Sequence, residues 1–385
     1  MPKNMRLLTS LQTLPIFAVG QDEGHSIEEL GALENLRGEI DIYKLGFVED
    51  EEEAKSAKLE GKEIFKLRLY WNKKEEEDYR DKDEKVLEGL QPHQNLKILT
   101  IEGYGGKRFP SWVGLSRYEN LIEIKLGWFK NCEEVPTLGR LPCLRVLEIS
   151  EMEKVRCIGS EFYSDESCKN IILFPELRIL KLKFMKVLEE WKDAKELTSA
   201  GGVLMCPCLE ELTLYDCPKL RYLPESLNTC AKLQKLVVEW CDLSYLPAFP
   251  SSGRTRGIEE LPTDSEYLKD WAQIYETTSS ARYSLQSLKF SGPDTLLGQI
   301  QYFIALKILW ISVDLVDLPE CWSISCTLQQ LYLVNCGNLV HLPTKEAMQR
   351  LTQLKKLVIS RCPKFEHNER IKISHVPWVE ISNSL

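Results

Sequence analysis

One stretch, LEELTLYDCPKLRYLP at residues 209–224, constrains the fold of this chain more than any other feature. Its apolar residues follow the pattern L-x-x-L-x-L-x-x-C-x-x-L. The alternation around Leu212 and Leu214 is typical of a short strand that directs both leucines to one face. A strand of this length cannot bury its own apolar face, so copies of the unit must stack beside it.

Copies of this unit recur along the whole chain, each marked by two apolar residues separated by one position. If the long gap after Leu236 hides one degenerate unit, the mean period is about 26 residues, which is typical of leucine-rich repeats. We therefore predict an α/β repeat fold: a single leucine-rich-repeat solenoid over residues 1–385, curved like a horseshoe, with a parallel β-sheet on its concave face and short helices, turns and loops on its convex face. The marker pairs are Leu14/Ile16, Ile40/Ile42, Leu67/Leu69, Leu99/Ile101, Ile124/Leu126, Leu147/Ile149, Leu180/Leu182, Leu212/Leu214, Leu236/Val238, Leu288/Phe290, Leu309/Ile311, Leu331/Leu333, Leu357/Ile359 and Val379/Ile381.

Local signals predict helices and two irregular segments between the strands. Ser26 and Glu29 form a capping-box pattern, which predicts a short helix closed by Gly38, and a second helix is expected to end at Gly61. Residues 73–85 (KKEEEDYRDKDEK) are too polar to bury a core and are predicted to form a charged loop. Residues 248–284 begin with turn-forming residues and continue with helical spacing, which leaves either a decayed repeat or an island on the solenoid.

Charge and cysteine content indicate the compartment and exclude one class of partner. A net charge of -9 argues against a phosphate-binding surface, so we expect no nucleic-acid partner. The chain has 13 cysteines and no N-x-S/T glycosylation sequence. Four cysteines lie at the inward position of the repeat, where a thiol acts as a small buried apolar group: Cys217, Cys241, Cys336 and Cys362. These features favour a reducing, cytoplasmic location.

The N-terminus leaves an alternative open. Lys3 and Arg6 precede an apolar run that could act as a signal peptide, which would make the chain a secreted leucine-rich-repeat inhibitor or ligand-binding protein. However, Leu8, Leu11 and Leu14 keep the spacing of the repeat, which favours a first repeat unit here. No run approaches the ~20 apolar residues of a membrane span, so no membrane association is expected.

No stretch of the sequence matches a catalytic or cofactor motif. The GYGGKR sequence from Gly103 to Arg108 lacks the third glycine of a dinucleotide loop and the Ser or Thr of a P-loop, and predicts a tight turn. Cys206 and Cys208 have no second Cys/His pair at metal-ligand spacing. We therefore predict no enzyme, no cofactor and no metal site.

Aromatic residues beside the buried pairs are the most distinctive candidates for a site. Pleat alternation is expected to expose them on the concave face, where a row of aromatic side chains is typical of a partner-binding surface. The alternative is that some only cover their neighbours. The candidates are Tyr70, Trp71, Trp128, Phe184, Tyr215, Trp240, Trp310 and Tyr332.

Several blocks in this order resemble the leucine-rich-repeat region of plant coiled-coil nucleotide-binding disease-resistance proteins of the RGA-like group. They include IEELGALENLRGEIDIYKL, VLEGLQPHQNLKILTIEGYGGKRFPSWV and PTLGRLPCLRVLEI. The resemblance implies an intracellular immune receptor whose repeats bind pathogen effectors or guarded host proteins, or restrain a nucleotide-binding domain. Because no P-loop or other switch motif is present, we expect a truncated relative, a fragment or a partial gene model, without nucleotide-driven signalling.

Overall fold

The computed structural model describes residues 1–71, 80–110, 112–113, 117–164, 171–194, 203–246, 285–292, 294–320 and 327–382. Contacts divide the chain into two compact units. One consists of Met1–Pro207 with Thr213–Leu220, and the other of Cys208–Leu212 with Arg221–Leu385. The single solenoid over residues 1–385 stays a prediction, and the irregular segment 248–284 lies outside the described residues.

Short parallel strands are the main element of both units. The strands are β1 Ile16–Ala18, β2 Gly38–Tyr43, β3 Ile64–Tyr70, β4 Ile98–Glu102, β5 Glu123–Phe129, β6 Val146–Met152, β7 Cys157–Ile158, β8 Ile171–Leu173, β9 Ile179–Lys183, β10 Glu190–Trp191, β11 Val203–Met205, β12 Glu211–Tyr215, β13 Lys235–Glu239, β14 Ser287–Ser291, β15 Ile308–Ser312, β16 Gln330–Val334, β17 Lys356–Ser360 and β18 Trp378–Ser382. In the first unit the sheet runs β1 to β6 and then β9, and in the second it runs β13 to β18. Two small sheets, β7 with β10 and β8 with β11, also belong to the first unit.

Helices are few and short in the part of the chain that the structure describes. The α-helices are α1 Glu51–Ser56, α2 Arg80–Gly89 and α3 Lys345–Arg350. Shorter and longer 3₁₀ helices, from about one to about three turns, lie at Met5–Leu7, Ile27–Leu30, Leu45–Phe47, Leu59–Gly61, Ser160–Phe162, Glu225–Thr229, Asp294–Tyr302 and His367–Ile373. The helix predicted from Ser26 is thus one 3₁₀ turn, and Ser26 makes no side-chain capping hydrogen bond.

The marker pairs form continuous apolar ladders. In the first unit the paired residues run Ile40, Leu67, Leu99, Ile124, Leu147 and Leu180 across the sheet. In the second they run Leu236, Leu288, Leu309, Leu331, Leu357 and Val379. Apart from Val379 these side chains are buried, and burying one leucine contributes about 1.5 to 3 kcal/mol. The leucine-rich-repeat fold class is confirmed.

One detail of the predicted repeat was wrong, and another stays open. Leu236 pairs directly with Leu288, so β13 and β14 are neighbours in the sheet, while the choice between a decayed repeat and an island falls on residues 248–284, outside the described residues. In the first repeat Phe17 is buried and pairs with Ile42, whereas Ile16 is 52% exposed. The inward residue of β1 is therefore Phe17, because the pleat alternates and Phe17 shares the face of Ile42.

The predicted charged loop 73–85 also differs from the structure. Residues 80–85 form the start of helix α2. Residues 73–79 lie outside the described part of the chain. Asp83, Val86, Leu87 and Leu90 are buried at helical spacing. The three apolar residues of this face hold an otherwise charged segment against the core.

A left-handed residue turns the chain out of most strands. It lies two positions after the second buried residue of the marker pair, with φ between 51° and 74°, and the residue after it is buried. The predicted inward cysteines Cys217, Cys241, Cys336 and Cys362 occupy this buried position, which confirms that assignment. The left-handed residues are Lys44, Gly103, Trp128, Glu151, Phe184, Asp216, Trp240, Asn335 and Arg361.

Candidate protein-binding face

The face of each sheet opposite the apolar ladder is here called the outward face. It carries the residues before, between and after each buried pair, and the left-handed residue that follows. Of the eight aromatic candidates, seven lie on this face and one does not.

Trp71 is the exception, since only 7% of its surface is exposed. Leu67, Leu69 and Trp71 alternate along one extended segment, so the pleat directs Trp71 to the core. Its ring packs edge-on against Tyr104, with ring centroids 5.3 Å apart. The assignment of Trp71 to a partner-binding row was therefore wrong.

Trp128, Phe184 and Trp240 are exposed for a different reason from the one predicted. Each lies two positions after a buried strand residue, so simple alternation would place it in the core. Instead each adopts a left-handed conformation, with φ of 66°, 54° and 57°. Since the next residue then takes the buried position, their side chains stay 43%, 38% and 59% exposed.

In the first unit Tyr70 belongs to a compact polar and aromatic cluster. Its ring stacks on that of Tyr43, with centroids 4.5 Å apart and an interplanar angle of 8°. The next pair along the same two strands is an ion pair, with Arg68 Nη1 2.8 Å from Asp41 Oδ2. Burial, and then the nearby carboxylate of Glu102, raise the pKa of Tyr70 to about 12. Within this cluster the positive charge of Arg68 is neutralised by Asp41.

Phe184 and Tyr215 form a second aromatic contact in the first unit. Their rings meet edge to face at a centroid distance of 5.1 Å. Beside them, Lys186 forms an ion pair with Asp216. Tyr215 is half-buried, whereas Phe184 remains accessible.

The second unit carries the most extended array. Trp310 and Tyr332 occupy paired positions on β15 and β16 and stack with centroids 4.6 Å apart and an interplanar angle of 13°. Lys289 Nζ lies 5.1 Å from the Trp310 ring. On the other side, Lys356 Nζ lies 5.3 Å from the Tyr332 ring and 4.6 Å from the Trp378 ring. We call Lys289, Trp310, Tyr332, Lys356 and Trp378 the aromatic ladder.

Sequence reasoning missed Tyr43 and Trp378, although both carry a readable signal. Tyr43 follows its buried pair as Tyr70 does, and Trp378 precedes its buried pair as Lys356 does. Reading every outward position of the repeat, instead of choosing aromatic residues individually, would have found them. Trp378 is 57% exposed, which makes it one of the most accessible rings of this face.

The glycine-rich turn has the wrong groups for a phosphate site. The carboxylates of helix α2 already accept its backbone N–H groups: Asp83 Oδ2 from Gly105 at 3.1 Å, and Glu84 Oε1 from Lys107 at 2.7 Å. These carboxylates would repel an anion.

Chemistry elsewhere in the described part of the chain is equally limited. There, no group of three or more His, Cys, Asp or Glu residues could hold a metal ion. Within the same residues, no helix has the length and apolarity needed to cross a membrane.

The sequence of this chain is similar to those of known leucine-rich-repeat proteins. The family described as R13L1/DRL21 LRRs matches residues 27–152. Two proteins of Solanum bulbocastanum named for disease resistance match more of the chain. RGA1 is 33% identical over 277 residues, which are 71% of this chain and 26% of RGA1. RGA2 is 33% identical over 273 residues, which are 66% of this chain and 27% of RGA2.

The chain is a leucine-rich-repeat region related to those of RGA-like disease resistance proteins. It spans about a quarter of the length of these relatives. A solved internalin structure from Listeria monocytogenes aligns with 99% of this chain and 89% of its own, at a TM-score of 0.44 and 11% identity. That likeness is too distant to bear on function. Leucine-rich-repeat regions are typically non-catalytic modules that bind other proteins through extended surfaces.

Proposed function

We propose that this leucine-rich-repeat region is a cytoplasmic protein-interaction module of plant immunity. It recognises pathogen effectors or guarded host proteins, restrains a nucleotide-binding switch domain, or does both. The observation that carries the proposal is that each unit has accessible aromatic side chains on its outward face.

These rings offer accessible surface to a partner and are not part of the buried core. Trp240 and Trp128 leave much of their surface accessible, and Trp310 and Tyr332 stack on each other outside the apolar ladder. Tryptophan and tyrosine are enriched among the few residues that dominate protein interfaces, each costing more than ~2 kcal/mol on truncation. The names of the relatives supply the biological setting. The chain matches only about a quarter of their length, and restraint of a switch domain is proposed from the family resemblance of the sequence.

The test compares two triple variants with the wild-type chain by affinity capture from plant tissue. The first replaces Trp240, Trp310 and Tyr332 with alanine and should lose the specific partners. The matched control replaces three exposed residues outside the strands, Tyr222, Val316 and Ile371, and should retain them. Circular dichroism should show that both variants keep the wild-type fold. Identical partner lists from the wild type and the first variant would refute the proposal.

A further inference from the structure

The aromatic ladder holds one lysine in an unusual position. Lys356 lies on β17 between the rings of Tyr332 and Trp378, at 5.3 Å and 4.6 Å. A cation over aromatic faces is attracted by the ring electrons. The two rings therefore hold the ammonium group in place at the outward face before any partner arrives.

The other outward lysines of the second unit are neutralised. Lys235 lies 3.1 Å from Glu211, and Lys289 lies 2.9 Å from Glu239. Lys356, in contrast, forms no ion pair with any residue that the structure describes. Its charge is positioned by the rings but not compensated by a carboxylate.

The surrounding outward positions on β15 to β18 do not offset the charge of Lys356, because the one basic and the one acidic residue among them cancel. They carry Ile308, Trp310, Gln330, Tyr332 and Val358, with Arg361 at the left-handed turn and Glu380 as the acidic residue. The local balance is thus positive, whereas the chain as a whole has a net charge of -9. A positive aromatic surface on an acidic protein selects ligands by charge.

The tyrosine stack of the first unit provides an internal comparison. It has a similar ring geometry, but the cations beside it, Arg68 and Lys66, are each paired with a carboxylate, Asp41 at 2.8 Å and Glu39 at 2.7 Å. The positive charges of these two side chains are therefore already neutralised within the protein. Among the described residues, parallel stacked rings occur at Tyr43–Tyr70 and at Trp310–Tyr332, and of these two stacks only the second has a cation beside it that no carboxylate neutralises.

We propose that the outward face of β14 to β18 binds an acidic segment of a partner protein. A partner carboxylate pairs with Lys356, and an adjacent apolar or aromatic side chain lies on Trp310 and Tyr332. The proposal rests on the proposed function and specifies the chemistry of the partner. The rings contribute contact area at low conformational cost, while the pre-positioned lysine provides charge selectivity.

The experiment selects peptides from a random displayed library against the full chain at low salt. Selected sequences should be enriched in Asp and Glu, and their affinity should fall as salt is added, because exposed charges are screened. Fluorescence anisotropy with the selected peptides then compares Lys356→Glu with Lys355→Glu. Lys355 is an exposed neighbour outside the ladder, so its replacement changes the net charge equally. We expect a loss of about tenfold for Lys356→Glu and less than about twofold for Lys355→Glu.

Lys356→Met keeps the aliphatic stem between the rings and removes only the charge. Lys356→Met should also weaken the binding of acidic peptides. It therefore tests the role of the charge even if the charge-reversed variant misfolds. Peptides that require Trp310 but show no acidic excess, or that respond equally to both lysine reversals, would overturn this inference and leave the proposed function standing. An absence of selected peptides, or binding that is indifferent to Trp310 and Tyr332, would count against both.

Discussion

Asp83 makes the stability of the first unit depend on pH in a direction that can be predicted. Its side chain lies on helix α2 and is 7% exposed. Although its Oδ2 accepts a hydrogen bond from the backbone N–H of Gly105, burial dominates and raises the pKa of Asp83 from 3.8 to about 6. The folded protein therefore favours the neutral acid.

The sign and size of the effect follow from this shift. A group whose pKa is higher in the folded state stabilises the fold fully below its unfolded pKa, and that contribution is lost as pH rises through the folded value. The rise in the pKa of Asp83 from 3.8 to about 6 corresponds to about 3 kcal/mol. The loss should begin near pH 4 and be nearly complete above pH 6 to 7. Asparagine is uncharged and can still accept the Gly105 hydrogen bond. Replacing Asp83 with asparagine should therefore remove the loss of stability that ionisation causes at higher pH.

The assay is urea unfolding of the wild type and Asp83→Asn between pH 4 and pH 8. The variant should match the wild type near pH 4 and be more stable by up to about 3 kcal/mol at neutral pH. Asp81→Asn, an exposed carboxylate on the same helix, serves as the control and should change stability little at any pH. A pH-independent difference between Asp83→Asn and the wild type, or a less stable variant at pH 7, would refute the reasoning.

Two further predictions concern the aromatic ladder and the cysteines. A double-mutant cycle with Trp310→Ala and Tyr332→Ala should give a coupling of about 0.5 to 1.5 kcal/mol in unfolding measurements, because the stacked rings stabilise each other; additive effects would contradict the stack. Thiol titration without reductant should detect close to 13 free thiols after denaturation, and rapid labelling of exposed Cys143 in the native protein. A handful of thiols or fewer would instead support the secreted alternative.

The sequence alone determined the apolar ladder and part of the candidate face. Period-2 alternation is a local property of extended backbone, so Leu309, Ile311, Leu331 and Leu333 could be placed inward before any contact was known. By the same property Trp310, between two buried residues of one strand, had to face outward. The inward cysteine position could also be read, because it lies at a fixed distance from each pair.

Tertiary structure decided which residues turn outward at the strand ends. Trp71 and Trp128 occupy the same place relative to their buried pairs, yet only Trp128 is left-handed and exposed. The residue after Trp128 is Phe129, which packs into the core when the chain turns, whereas the residue after Trp71 is the polar Asn72. Whether such a residue turns outward depends on which side chain, its own or the next one, better fills the core. Packing between neighbouring repeats decides this.

The same limit applies to charges. Residues 73–85 are almost uniformly polar in sequence, and nothing in their composition distinguishes Asp83 from its neighbours. Only the packing of helix α2 against the turn at Gly105 buries that carboxylate and raises its pKa. Likewise, Lys356 comes to lie between Tyr332 and Trp378 because three strands distant in sequence pair in register. Alternation along a strand depends only on local backbone conformation. The side chains that become neighbours across strands, and therefore burial and charge pairing, depend on the assembled sheet.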